Sequence, residues 1–146
     1  MISIAYESFV NGICMELFDF GKKKDNSTPQ CVYTSNGENY TPSTSEINEA
    51  KRQLIGYYEW LSDKFSKEYK FNFSKSINKN DFVKFTNAEK FYDDDKSFKS
   101  INYYFTVTPK ARKILDNCDS EMFNGLEVIK VNRGCDNGWD VTDNLQ

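Results

Sequence analysis

At 146 residues the chain has the usual length of one compact domain, and a 16% aromatic content supplies core volume without disulfides or metal. Charged residues at 28% and hydrophobic residues at 38% exclude a disordered polymer. There is no histidine at all, so the commonest general base and metal ligand is missing, and the net charge of −3 is too small to dictate a partner.

Tyr6, Phe9, Val10, Ile13, Cys14 and Leu17 recur at helical spacing, and Gly21 stands where a helix C-cap wants positive φ. This predicts a first helix over about residues 3–20. Glu7, Glu16 and Asp19 break any signal-peptide core there, and no stretch nears the roughly 18 apolar residues of a membrane span. With no Cys-x-x-Cys pair among the four cysteines, the expectation is a cytoplasmic protein with reduced thiols and no membrane association. Cys14 and Cys118 read as small buried hydrophobes.

Residues 22–43 form a polar connecting loop or hairpin punctuated by Pro29, Gly37 and Pro42, with Cys31, Val32 and Tyr33 as a short edge strand inside it. Ser43 and Glu46 then have capping-box spacing. Behind them Ile47, Ala50, Leu54, Tyr57, Tyr58, Leu61 and Phe65 mark one face of a long helix over about residues 44–68, in which Gly56 is a weak point.

From Tyr69 the period changes. Tyr69, Phe71 and Phe73 alternate with polar residues and predict a half-buried strand. Residues 82–85 fit strand or short helix. Asp93, Asp94 and Asp95 mark an exposed turn, and residues 102–107 are rich in β-formers. Thr108 and Pro109 open a short helix over about 109–117. Leu126, Val128, Ile129 and Val131 predict a further strand. Residues 133–146 read as a loop-like acidic tail anchored by Trp139 and Val141. The order implies a single α+β domain: a mostly antiparallel sheet of about 4–5 strands, packed by the long helix, the N-terminal helix and the short one.

No phosphate-cradling glycine loop or nucleophile elbow is present, and no residue is assigned to catalysis, to a cofactor or to a metal. Asp93, Asp94 and Asp95 could hold Mg²⁺ for a carboxylate-dependent phosphotransfer or nuclease enzyme, but consecutive turn residues point apart, and a solvated turn is the stronger reading. Residues 51–113 are basic, with 14 Lys or Arg against 8 Asp or Glu, and both flanks are acidic. Lys64, Lys67, Lys70, Lys75, Lys79 and Lys84 interleave there with Phe65, Tyr69, Phe71, Phe73, Phe82 and Phe85, a pattern suited to single-stranded nucleic acid. The same aromatics have core periodicity, and only three arginines occur in the chain.

The reading that asks least of the sequence is a small acidic protein that binds another protein and acts by occlusion. Immunity proteins that neutralise toxins and phage-type inhibitors of defence nucleases are of this kind. Asp93, Asp94, Asp95, Asp136, Trp139, Asp140 and Asp143 are the candidate partner-binding residues.

Overall fold

The computed structural model describes residues 33–65, 71–118 and 122–145. The helix expected at residues 3–20 lies outside them, as do Cys31, Val32 and Tyr69.

Helix α1 (Thr44–Lys64) starts where its capping box dictates. The Glu46 amide donates to Ser43 Oγ at 3.1 Å, and the Ser43 amide donates to Glu46 Oε1 at 2.8 Å. The helix ends at Lys64 with Phe65 as its C-cap, and residues 66–68 of the expected span lie outside the described residues. Ala50 and Leu54 are fully buried and Tyr58 nearly so, whereas Leu61 and Phe65 lie half-exposed at the margin of the predicted stripe.

The strand predicted at 69–73 is corrected. Asn72 caps a single helical turn, α2 (Phe73–Ser76), by accepting the Lys75 amide, and Phe71 carries no strand pairing. Burial of Phe71 and Phe73 was legible, but the partner of their backbone is a side chain. Ser62 Oγ donates to the Phe71 carbonyl at 2.9 Å and accepts the Phe73 amide at 3.0 Å.

After a 3₁₀ turn (Lys79–Asp81) the sheet follows. Strands β2 (Val83–Tyr92) and β3 (Phe98–Val107) form its longest pair, so residues 82–85 resolve into strand from Val83 onward. Helix α3 (Pro109–Asn117) opens on Thr108, whose hydroxyl accepts the Ala111 amide, and buries Ala111 and Leu115. Strands β4 (Val128–Gly134) and β5 (Trp139–Asp143) complete the hairpin that replaces the expected loop-like tail, a second correction. A two-residue strand, β1 (Tyr33–Thr34), runs parallel to β2 at Glu89 and Lys90. Among the described residues it is an edge strand, and residues 22–32 of the expected loop or hairpin lie outside them.

The sheet order is β1-β2-β3-β4-β5, antiparallel except at β1, and the fold is an α+β domain. One face carries Ile101, Tyr103, Phe105, Ile129 and Val131, all fully buried in the same cluster as Leu54 and Tyr58 of α1. The opposite face is polar: Asn132 donates to Asn102 at 2.7 Å, and the Tyr104 hydroxyl donates to Glu89 at 2.6 Å.

The two hairpin turns are alike. Lys96 (φ 71°) and Asn137 (φ 65°) occupy the left-handed position of a three-residue loop, and their amides donate to Asp93 and Gly134. Because β2 and β4 run the same way, both turns sit at one end of the sheet.

Candidate functional site

The topology gathers four of the sequence-predicted aspartates and separates three other residues from them. Asp93, Asp94, Asp95 and Asp136 lie in the two turns at one end of the sheet. Glu38, which follows β1 and accepts the Tyr92 hydroxyl at 2.9 Å, joins them there. All are exposed. Asp95 accepts both the Ser97 hydroxyl at 2.6 Å and its amide at 2.9 Å, and these bonds hold its carboxyl below the usual range. Asp136 accepts the Gly138 amide at 2.9 Å. Both aspartates therefore hold their own turns in shape.

Asp143 stands at the far end of β5 and joins sheet to helix: its carboxylate accepts the Tyr58 hydroxyl at 2.5 Å and the Leu145 amide at 2.9 Å. Burial first, then this bond, push the Tyr58 hydroxyl up. Among the described residues no three Asp, Glu or Cys side chains are placed to share a metal ion.

The basic middle segment divides. Phe71, Phe73 and Phe82 are buried in the core, Phe73 packing on Phe82 and both Phe71 and Phe73 packing on Phe123, which leaves no ring face for a base. Lys79 pairs with Glu59 at 3.1 Å. Lys67, Lys70 and Tyr69 lie outside the described residues.

Trp139 and Asp140 belong instead to a groove of about 400 Å³ between α1 and β5. Arg52, Gly56, Tyr57 and Trp60 line it from the helix, and Trp139, Asp140 and Val141 line it from the strand. Its geometry follows from helical spacing: positions 52/53, 56/57 and 60 recur on successive turns and present one strip. Trp60 is 54% exposed, a large value for so apolar a side chain. Its ring lies 6.1 Å from that of Tyr57, with Lys64 Nζ 4.9 Å away.

Gly56 lies level with them, exposed, and a Cβ built on it meets nothing within 4 Å. On the strand side Trp139 stacks on Tyr103, centroids 6.4 Å apart, and on the Arg133 guanidinium at 5.9 Å. Arg52 forms a bidentate pair with Glu49, at 3.0 and 2.5 Å, which raises the guanidinium and lowers the carboxyl from their ordinary values.

Sequence reasoning named Trp139 and Asp140 but missed the helical wall. The available signal was a mid-helix glycine four residues before a tryptophan; what hid it was the separation of 80 residues between Trp60 and Asp140.

Beside the groove, at the N-terminal end of α1, Glu46 Oε2 accepts the hydroxyls of both Tyr40 and Tyr103, the latter at 2.6 Å. Burial and this carboxylate push the Tyr103 hydroxyl up to about 12. The Lys90 ammonium sits over Tyr40 at 4.1 Å and near Phe98 at 5.7 Å, with the Arg133 guanidinium 5.1 Å from Phe98. These cations and rings make a continuous wall leading to Trp139.

No helix among the described residues is long and apolar enough to cross a membrane. Comparison of the chain with known protein families, with curated proteins and with solved structures finds no match.

Proposed function

We propose that this chain is a protein-binding module that acts in the cytoplasm by covering its partner's surface, in the manner of immunity proteins and phage-type inhibitors of defence. The observation that carries the reading is Trp60, 54% exposed at the rim of a groove whose helical wall is opened by Gly56. Tryptophan, tyrosine and arginine are the residues that dominate binding energy at protein interfaces, and all three line this groove. An exposed glycine inside a helix costs about 0.5–1 kcal/mol relative to alanine, and no neighbour among the described residues comes close enough to a Cβ built there to require it. A stability cost without an internal reason marks a surface shaped for something outside.

The acidic end of the sheet, with Asp93, Asp94, Asp95 and Asp136, supplies a field that steers a basic partner such as a toxin or a defence nuclease. Two sites thus share the work: the groove anchors and the acidic end attracts.

The test is affinity capture from the native host with the full chain, run in parallel with Trp60→Ala and Gly56→Arg. Wild type is expected to retain one partner in stoichiometric amount, and both variants to lose it while keeping the wild-type circular dichroism. Retention by both variants refutes the groove. Replacing the turn aspartates with asparagine is expected to slow association and leave dissociation nearly unchanged.

A further inference from the structure

The two edges of the sheet are finished differently. At the β2 edge, pairing is taken up by β1, the register is broken by a bulge at Thr86, and Lys84 stands exposed beside it. These are the usual protections of an edge strand. Strand β5 has none of them among the described residues: its register with β4 is unbroken from Ile129↔Asp143 to Arg133↔Trp139, and it contains neither Pro nor Lys.

Its hydrogen-bonding phase is fixed by the two bonds that bracket it, from the Gly134 amide to Gly138 at 3.0 Å and from the Asn144 amide to Val128 at 3.1 Å. Alternation between them turns Asp140 and Thr142 toward β4. The amides and carbonyls of Trp139, Val141 and Asp143 therefore face outward, and no backbone bond meets them among the described residues.

Side chains alternate with the same phase. Val141 lies opposite the buried Val131 on the α1 face, with Trp139 and Asp143 beside it. The Asp140 side chain alternates to the other face, opposite Asn132, and is in no ion pair among the described residues. A strand laid along β5 would place every second side chain in the groove against Trp60 and Gly56, and the intervening ones beside Asp140.

We infer that β5 is the docking edge for an extended segment of the partner protein, one that alternates apolar side chains with Lys or Arg. This deepens the groove reading and rests on it. The apolar positions fill the groove and the basic ones answer Asp140 across the new strand pair. A second copy of this chain fits poorly, because β5 against β5 brings the aspartates of both strands together with no cation on either.

The probe is a displayed library of random peptides about ten residues long, selected on the full chain, with affinities read by tryptophan fluorescence. Selected peptides are expected to alternate apolar and basic residues. Methylating the peptide amides that point at β5 should weaken binding at least about tenfold, and methylating the alternate amides should not. Asp140→Lys should also weaken binding about tenfold, and Val141→Pro, which removes an outward amide and none of the bonds to β4, should abolish it.

Equal binding by both methylated series, or recovery of no peptide, overturns the strand inference. If Trp60→Ala destroys binding while methylation does not matter, the groove stands and strand addition falls. If neither matters, both fall. Self-association of the chain that Val141→Pro removes would make a second copy the occupant and overturn the inference.

Discussion

Ser62 offers the sharpest test of how α1 is tied to the chain that follows it. Among the described residues its hydroxyl is the sole partner of two buried backbone groups, the Phe71 carbonyl and the Phe73 amide, at residues only 7% and 0% exposed. Ser62→Ala removes one small atom and leaves both groups unsatisfied in a pocket walled by aromatic rings. Each buried orphan costs about 1–3 kcal/mol, so the substitution is expected to cost about 2–4 kcal/mol, allowing for some relaxation of the loop. That is comparable to truncating a large apolar side chain.

Equilibrium unfolding in urea reads it directly. With a slope of about 1–3 kcal/mol per molar for a protein of this size, the midpoint should fall by roughly 1–2 M. Ser45→Ala, in the exposed first turn of the same helix, is the matched control and should stay within about 0.5 kcal/mol. A Ser62→Ala loss under about 0.5 kcal/mol would mean that water reaches these groups, and the account of the bridge would fail.

Gly56→Ala should stabilise the protein by about 0.5–1 kcal/mol, since the added methyl meets nothing; a loss of stability in thermal unfolding would contradict an open groove wall. Lys96→Gly should raise stability by up to about 1 kcal/mol, because a lysine holds a left-handed backbone there; an unchanged urea midpoint would argue against that φ. Tyr103 and Tyr104 are both pushed up to about 12 from an ordinary 10.0, chiefly by burial. The folded state thus favours their neutral hydroxyls, and their contribution is complete below pH 10 and lost as pH climbs from 10 toward 12. Urea midpoints across that window should fall less steeply in Tyr103→Phe and Tyr104→Phe than in wild type, and parallel slopes would refute the assignment.

Local chemistry made part of this fold legible. The Ser43–Glu46 box and the Thr108–Pro109 start act within four residues, so the beginnings of α1 and α3 could be read directly. Strand β3 was legible because alternation and β-propensity agree over residues 102–107. Its partner β2 was hidden by its polar centre, Thr86 to Lys90, where a bulge breaks the period and cross-strand pairing supplies what propensity does not. Strand β5 was hidden because two of its five side chains are acidic and the turn before it carries Gly134 and Gly138; β4 supplies the pairing that makes it a strand.

At Phe71 and Phe73 the alternation was real and its meaning was wrong, because Ser62 and Asn72 satisfy the backbone in place of a neighbouring strand. The site suffered most. Asp143 looked like one more surface aspartate until Tyr58 was seen to donate to it, and the groove requires α1 and β5 to be adjacent, which no local pattern encodes.

Glu46 has a consequence beyond capping. One oxygen closes the helix start, while the other receives a hydroxyl from the preceding loop and one from the middle of the sheet. A second peg, Tyr58 against Asp143, grips the same helix three turns further on. Two pegs forbid both sliding and rolling: a shift of one residue would swing α1 through about 100° and carry Trp60 away from β5. The helical wall of the groove is thus indexed by carboxylates that do not line it.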